Sequence, residues 1–150
     1  MMTRLAVLFA ALLAASTSLA HDEGHGPRLM EEPPKQGGLI ASVVDAKDAK
    51  LGPEAPLVYK AELIRSDDGT MRLFLYDAKM APLDGAAFEK KANAIILSGK
   101  KKNKKRSFSL SREGGVYSGV APKAPSRPFN LEVSLKDGKR SLLVAFENLD

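Results

Sequence analysis

The chain has 150 residues, with 23 lysines and arginines against 18 acidic residues, and it has no cysteine. This length suits one ordinary domain, and the lack of cysteine excludes disulfides, thiolate metal sites and a lipid-modified cysteine. The net charge of +5 is too small to indicate a protein whose main ligand is nucleic acid.

Residues 1–20 have the pattern of a secretory signal peptide. Arg4 supplies the positive charge, LAVLFAALLAA is an apolar stretch too short to span a bilayer comfortably, and SLA, ending at Ala20, fits a cleavage site. We therefore expect a mature chain that begins at His21, has no transmembrane segment after processing and resides in the bacterial periplasm.

Residues 21–36, HDEGHGPRLMEEPPKQ, predict a flexible tail because they are acidic, contain prolines and lack periodicity. The tail holds both histidines of the chain, His21 and His25, together with Asp22 and Glu23. A free amine and an imidazole at His21 could chelate a metal; imidazole suits copper or zinc, and the carboxylates add oxygen ligands. These four residues form the predicted metal site, and the alternative is a solvated tail that binds no metal.

Residues 37–150 predict an all-β domain. The runs LVYKAELIR and FNLEVSL alternate between apolar and polar residues, and Asp68-Gly69 and Asp137-Gly138 are typical of hairpin turns. The spacing predicts an antiparallel β-sandwich of about seven to eight strands, each with one buried and one wet face.

The segment GKKKNKKR, residues 99–106, concentrates positive charge in a predicted hairpin. Its cations could bind anionic lipid, a polymer or an acidic partner protein, or they could only keep a hairpin tip soluble and protect a sheet edge. No aromatic residue interrupts the run, which argues against a nucleic-acid platform. The residues of this predicted basic patch are Lys100, Lys101, Lys102, Lys104, Lys105 and Arg106.

No pattern indicates catalysis. The chain has no Gly-x-Ser-x-Gly elbow, no phosphate loop and no His-Glu-x-x-His site, and with both histidines in the tail a Ser-His-Asp triad has no natural base. We therefore expect a protein that is not an enzyme.

Three stretches, MRLFLYDAKMAPLDGA, GGVYSGVAPKAP and FNLEVSLKDGKRSLLVAFE, follow the His/acidic stretch HDEGHG. With that stretch and the signal peptide, they resemble small periplasmic β-sandwich accessory domains associated with heavy-metal efflux and copper resistance, and FixH/YtkA-like domains. The resemblance covers most of residues 37–150. It implies an Ig-like sandwich and a role near metal export, with metal ligands that carry over only to His21 and His25.

Two hypotheses about function result. The first is a non-enzymatic periplasmic binding module that assists copper or zinc handling, alongside a metal-export complex. The second is an envelope structural or interaction protein that contacts a partner protein, anionic lipid or polymer through its sheet surface or its basic hairpin.

Overall fold

A computed structural model describes residues 25–29, 32–138 and 140–150. The predicted signal peptide and His21, Asp22 and Glu23 lie outside these residues. Eight strands form the fold: Leu39–Asp45 (β1), Tyr59–Arg65 (β2), Thr70–Tyr76 (β3), Lys91–Ser98 (β4), Lys104–Glu113 (β5), Val116–Val120 (β6), Phe129–Asp137 (β7) and Arg140–Leu149 (β8).

Three short 3-10 helices, Ala49–Glu54, Gly85–Ala87 and Lys100–Lys102, lie in the connections between strands. In the part of the chain that the structure describes, no helix has the length and apolar character needed to cross a membrane.

The strands close into a barrel in the order β1-β2-β3-β6-β5-β4-β7-β8, and every neighbouring pair is antiparallel. The ring closes where β1 pairs with β8, through Val43 opposite Val144 and Asp45 opposite Leu142. One continuous set of hydrogen-bonded ladders therefore encloses the core.

The prediction of all-β structure is correct, but the prediction of an Ig-like sandwich is wrong. A sandwich packs two separate sheets face to face, whereas here the ladders β3–β6, β4–β7 and β1–β8 join all the strands into one ring. Alternation along a strand specifies that one face is buried, and both architectures satisfy that requirement. The pairing of segments far apart in the sequence decides between them.

Apolar side chains from all eight strands fill the barrel. Tyr117 of β6 is the largest fully buried side chain, and its hydroxyl donates a hydrogen bond to the main-chain oxygen of Glu89, so burial leaves no polar atom of the ring unpaired. The core side chains that are completely buried are Val43, Ala61, Leu73, Ala94, Leu110, Tyr117, Leu131, Val133 and Val144.

The two predicted hairpins are confirmed. Gly69 (φ 87°) and Gly138 (φ 57°) both adopt the left-handed conformation that glycine tolerates, and they connect β2 to β3 and β7 to β8. In the first turn the Asp68 carboxylate accepts the backbone N–H of Thr70 at 2.8 Å, which lowers the pKa of Asp68.

Strand β2 is buried on both faces, so the prediction of one wet face per strand is wrong there. Glu62 is 0% exposed and Lys60 is 6% exposed. Residues 32–38 run over the outer face of β2, and we call this segment the strap. The Glu62 carboxylate accepts the backbone N–H groups of Lys35, Gln36 and Gly38 at 2.8–3.0 Å.

Two side chains complete the anchoring of the strap. The Tyr76 hydroxyl donates to Glu62 at 3.1 Å, and the Lys60 ammonium reaches the Glu32 carboxylate at 2.8 Å. Because the buried carboxylate has several donors, its charge is hydrogen-bonded rather than isolated. Burial is the main cause that raises the pKa of Tyr76, so its hydroxyl keeps the proton that it donates.

Residues 25–29 also contact the barrel. The Gly26 N–H donates to the Gly52 carbonyl at 2.7 Å, and the Ser42 hydroxyl of β1 donates to the Pro27 carbonyl at 2.5 Å. Flexibility of residues 21–36 as a whole stays a prediction; their described part makes these contacts and those of the strap.

Candidate functional site

The predicted basic hairpin connects β4 to β5, as expected from the sequence. Gly99 (φ 81°) begins the turn, and the Lys102 N–H closes it on the Gly99 carbonyl at 3.0 Å. Lys101 (φ 56°) and Lys102 (φ 53°) both adopt the left-handed conformation, which is strained for residues with a Cβ atom. The turn therefore places lysines at positions where glycine would be the easier residue.

The basic patch faces solvent. Lys102 is half-buried, and the other members, Lys100, Lys101, Lys104, Lys105 and Arg106, are exposed. Within the described part of the chain, no carboxylate lies at salt-bridge distance from any of these five exposed side chains. Within that part of the chain, none of these five charges is therefore neutralised by an ion pair.

Strand β5 has a free edge next to this hairpin. It pairs with β4 along eight residues, from Lys104 opposite Ser98 to Ser111 opposite Lys91. Its ladder with β6 covers only residues 111–113, and β6, with five residues, is half as long as β5, with ten. Residues 104–108 therefore pair with β4 on one side and have no strand on the other among the described residues.

Further cations lie at the same end of the barrel, which carries the turns 66–69 and 99–103 and the loop 121–128. Lys123 and Arg127 belong to that loop and are exposed. Arg65, at the end of β2, donates to the main-chain oxygen of Asp150 at 2.7 Å and lies 5.7 Å from the Phe129 ring centroid. We call this the hairpin end of the barrel.

His25 is half-buried and fixed by one hydrogen bond. Its Nδ1 lies 2.8 Å from the carbonyl oxygen of Ala49, and because a carbonyl can only accept, Nδ1 must carry a hydrogen. In the neutral ring Nε2 then holds the lone pair that a metal would need. This arrangement, with one ring nitrogen donating to a backbone carbonyl, is common for histidines that bind metals.

The residues that the structure describes do not form a set of metal ligands around His25. Among the described residues there is no group of three or more histidine, cysteine, aspartate and glutamate side chains that could hold a metal ion. The other predicted ligands, His21, Asp22 and Glu23, lie outside the described residues, so the four-residue metal site stays a prediction.

A polar cluster that the sequence analysis missed lies at the opposite end of the barrel. The Tyr59 hydroxyl donates to Asp137 at 2.7 Å, and Arg140 donates both to Asp137 and, at 3.0 Å, to the Tyr59 oxygen. The hydrogen bond from Arg140 is the main cause that lowers the pKa of Asp137, whereas burial is the main cause that raises the pKa of Tyr59. All three groups thus stay in their ordinary charge states, as in a structural ion pair.

The sequence does contain a signal for part of this cluster. Asp137 and Arg140 flank the predicted Gly138 turn with a spacing of three residues, which brings their side chains together across the hairpin. Tyr59 could not be added from the sequence, because β7 and β8 do not pair with β2.

A shallow pocket of about 260 Å³ lies outside the barrel, between the strap and the end of β3. Phe74, Tyr76, Leu83 and Val116 make its wall largely apolar, and Lys35 and Gln36 of the strap border it. None of the residues predicted to be functional lines this pocket.

Comparison with protein-family models, with curated proteins and with solved structures finds no match to this chain. The resemblance to FixH/YtkA-like and metal-efflux accessory domains stays a hypothesis drawn from the sequence patterns, without the Ig-like sandwich that it implied.

Proposed function

We propose that the chain is a non-enzymatic binding module of the bacterial envelope that docks an anionic partner at its basic patch. One observation carries the proposal: five exposed cations in a single hairpin have no carboxylate within salt-bridge distance among the described residues. The predicted signal peptide supports placement in the periplasm.

Electrostatic attraction would drive docking at the basic patch. Like charges held close together raise the local potential, which attracts a polyanion and speeds its association. The attraction acts over about one Debye length, roughly 8 Å at 0.15 M salt, so binding should weaken steeply as salt is added.

The test uses the chain from His21 to Asp150 and poly-L-glutamate as the probe. A variant with Lys100, Lys101 and Lys102 replaced by Gln should lose at least about tenfold in affinity, because it removes half of the patch. Binding by the unaltered protein should also fall between 50 and 300 mM salt.

The matched control replaces Lys47, Lys50 and Lys79 by Gln, which removes the same charge from the opposite end of the barrel. If both triple variants lose affinity equally, net charge rather than the hairpin binds the probe. Absence of measurable binding by the unaltered protein would contradict the proposal.

We propose metal handling as the second candidate, because the hydrogen bond from His25 Nδ1 to Ala49 leaves Nε2 as a potential ligand. His21, with its amine, and the carboxylates of Asp22 and Glu23 would complete a site for copper or zinc. In this proposal the module holds the ion beside a metal-export complex without chemical turnover.

The metal candidate is tested by titrating copper and zinc into the processed chain and into the variants His21→Ala and His25→Ala. Each substitution should weaken binding, and extra residues before His21 should weaken it too if the amine is a ligand. Equal, weak binding by all forms would contradict metal handling.

A further inference from the structure

We propose that the free edge of β5 accepts an extended acidic polypeptide segment as an added strand. This inference rests on the proposed anionic docking and specifies the class of partner. It follows from three observations: the direction of the backbone groups along β5, the absence of cover over that edge in the described residues, and the distribution of charge and apolar surface around it.

The backbone direction follows from one hydrogen bond. The Arg112 N–H donates to the Lys90 carbonyl at 2.8 Å, so Arg112 directs its backbone groups toward the β4 side. Adjacent residues of a strand direct these groups to opposite sides, and the β4–β5 register has no shift. Lys105 and Ser107 therefore direct their N–H and C=O groups toward the open side.

Among the described residues, no strand pairs with the open side of β5 along residues 104–107. Residues 104–107 are exposed without interruption, on both faces of the strand. β6 ends at Val120, and the next residue, Ala121, donates its N–H to Gly69, away from β5. The loop that follows contains Pro122, Pro125 and Pro128, which have no N–H to donate to a ladder. An incoming strand would continue the line of β6 beside β5.

The positive charge along the free edge determines which kind of strand can be added to β5. Lys104, Lys105 and Arg106 flank the edge, so the same edge of a second copy would bring cations against cations and be repelled. An acidic strand would be attracted to the same edge, because its charge is opposite. Val120 is 68% exposed at the point where the new strand would begin, which favours an apolar residue at that end of the partner.

The first test measures the backbone contribution with a synthetic ten-residue peptide that begins with valine and then alternates glutamate and threonine. Two further peptides carry the same side chains but are N-methylated at one or the other alternate set of residues. A strand that adds to β5 uses one set of N–H groups, so one methylated peptide should bind at least tenfold more weakly than the other.

Equal affinity for all three peptides would overturn strand addition and leave anionic docking intact. Binding of poly-L-glutamate without binding of the peptide would do the same. Preferential binding of vesicles containing 30% phosphatidylglycerol over the peptide would also overturn strand addition, since a lipid surface offers no strand. Failure of every probe, including poly-L-glutamate, would reject the proposed function itself.

The second test locates the peptide on the protein by amide hydrogen exchange. The amides of Lys105 and Ser107 should become protected at least tenfold when the peptide binds, whereas Arg106, which already faces β4, should change little. A Ser107→Pro variant removes one edge N–H and should lose at least tenfold in peptide affinity, and Ser107→Ala is its matched control. Unchanged exchange at Lys105 and Ser107 at saturating peptide would overturn the proposal.

Discussion

The two ends of the barrel differ in how their cations are paired with carboxylates. At the end opposite the basic hairpin, three cations have acidic neighbours: Arg140 binds Asp137, Lys47 lies 3.6 Å from Asp45 and Lys136 lies 3.9 Å from Glu89. At the hairpin end, five exposed cations of the patch have no such neighbour among the described residues. Exposed ion pairs add little stability, about 0–1 kcal/mol each. In the described part of the chain, three cations at one end are therefore paired with carboxylates, whereas the five exposed cations of the basic patch are not.

Reversing the charge of the basic patch should have the largest effect on anion binding. A variant with Lys100, Lys101 and Lys102 replaced by Glu should bind poly-L-glutamate about a hundredfold more weakly, because attraction becomes repulsion. The same reversal of Lys47, Lys50 and Lys79 should change the affinity by less than about threefold. Fluorescence anisotropy in 50 mM salt measures both, and equal losses in the two variants would remove the distinction between the ends.

Removing the charge of Asp137 should lower the stability of the protein more than removing a charge from the basic hairpin. Asp137→Asn weakens its bonds with Arg140 and Tyr59 and should lower the free energy of unfolding by about 1 kcal/mol at pH 7. Lys104→Gln in the hairpin should change it by less than about 0.5 kcal/mol, since that side chain has no ion-pair partner to lose. Urea unfolding measures both values; the reverse order would contradict a structural role for the Asp137 cluster.

Acid should remove the contribution of Asp137 to stability. The pKa of Asp137 is lowered in the folded protein from its ordinary value of 3.8, chiefly by the hydrogen bond from Arg140. Its contribution is therefore fully present above pH 3.8 and is lost as the pH falls through the lowered pKa. The stability difference between the unaltered protein and Asp137→Asn should shrink on acidification, as urea unfolding at pH 6, 4 and 2 would show.

The control for this pH dependence is Lys105→Gln, because a lysine keeps its charge throughout that range. Its stability difference from the unaltered protein should stay flat with pH. A difference for Asp137→Asn that persists undiminished at pH 2 would show that charge is not what Asp137 contributes.

The smallest expected effect concerns the turn that presents the patch. Lys101 has a φ of 56°, where a Cβ atom is strained. Lys101→Gly should therefore raise the free energy of unfolding by about 0.5–1 kcal/mol relative to Lys101→Ala, which removes the same charge but keeps the Cβ. Equal stability of the two variants would show that the turn relaxes without strain.

The sequence allowed much of the local structure to be predicted. Alternation in β7 identified Phe129, Leu131, Val133 and Leu135, which are all buried, and the glycine turns located two hairpins. Closure into a barrel could not be predicted in the same way. It depends on β1 meeting β8 and β3 meeting β6, and period-two patterning contains no information about which distant strands pair.

The candidate site, like the fold, could be predicted from the sequence only in part. Composition alone located the exposed cations of residues 100–106, because lysine runs remain in water. The free edge of β5 depends on the length of β6 relative to its partner, and that length depends on pairing rather than on any local pattern. Alternation along β2 predicts a wet face for Glu62, but Glu62 is buried because a segment some 25 residues earlier covers it.

The strap belongs to the folding unit of the barrel. A fragment that begins at Gly37 keeps all eight strands yet lacks the Lys35 and Gln36 amides and the Glu32 partner of Lys60. Glu62 and Lys60, which are packed between strand and strap, would then lose these hydrogen-bond partners, and water would have to replace them. The cooperative unit therefore extends at least to Glu32, ahead of the first residue of regular structure.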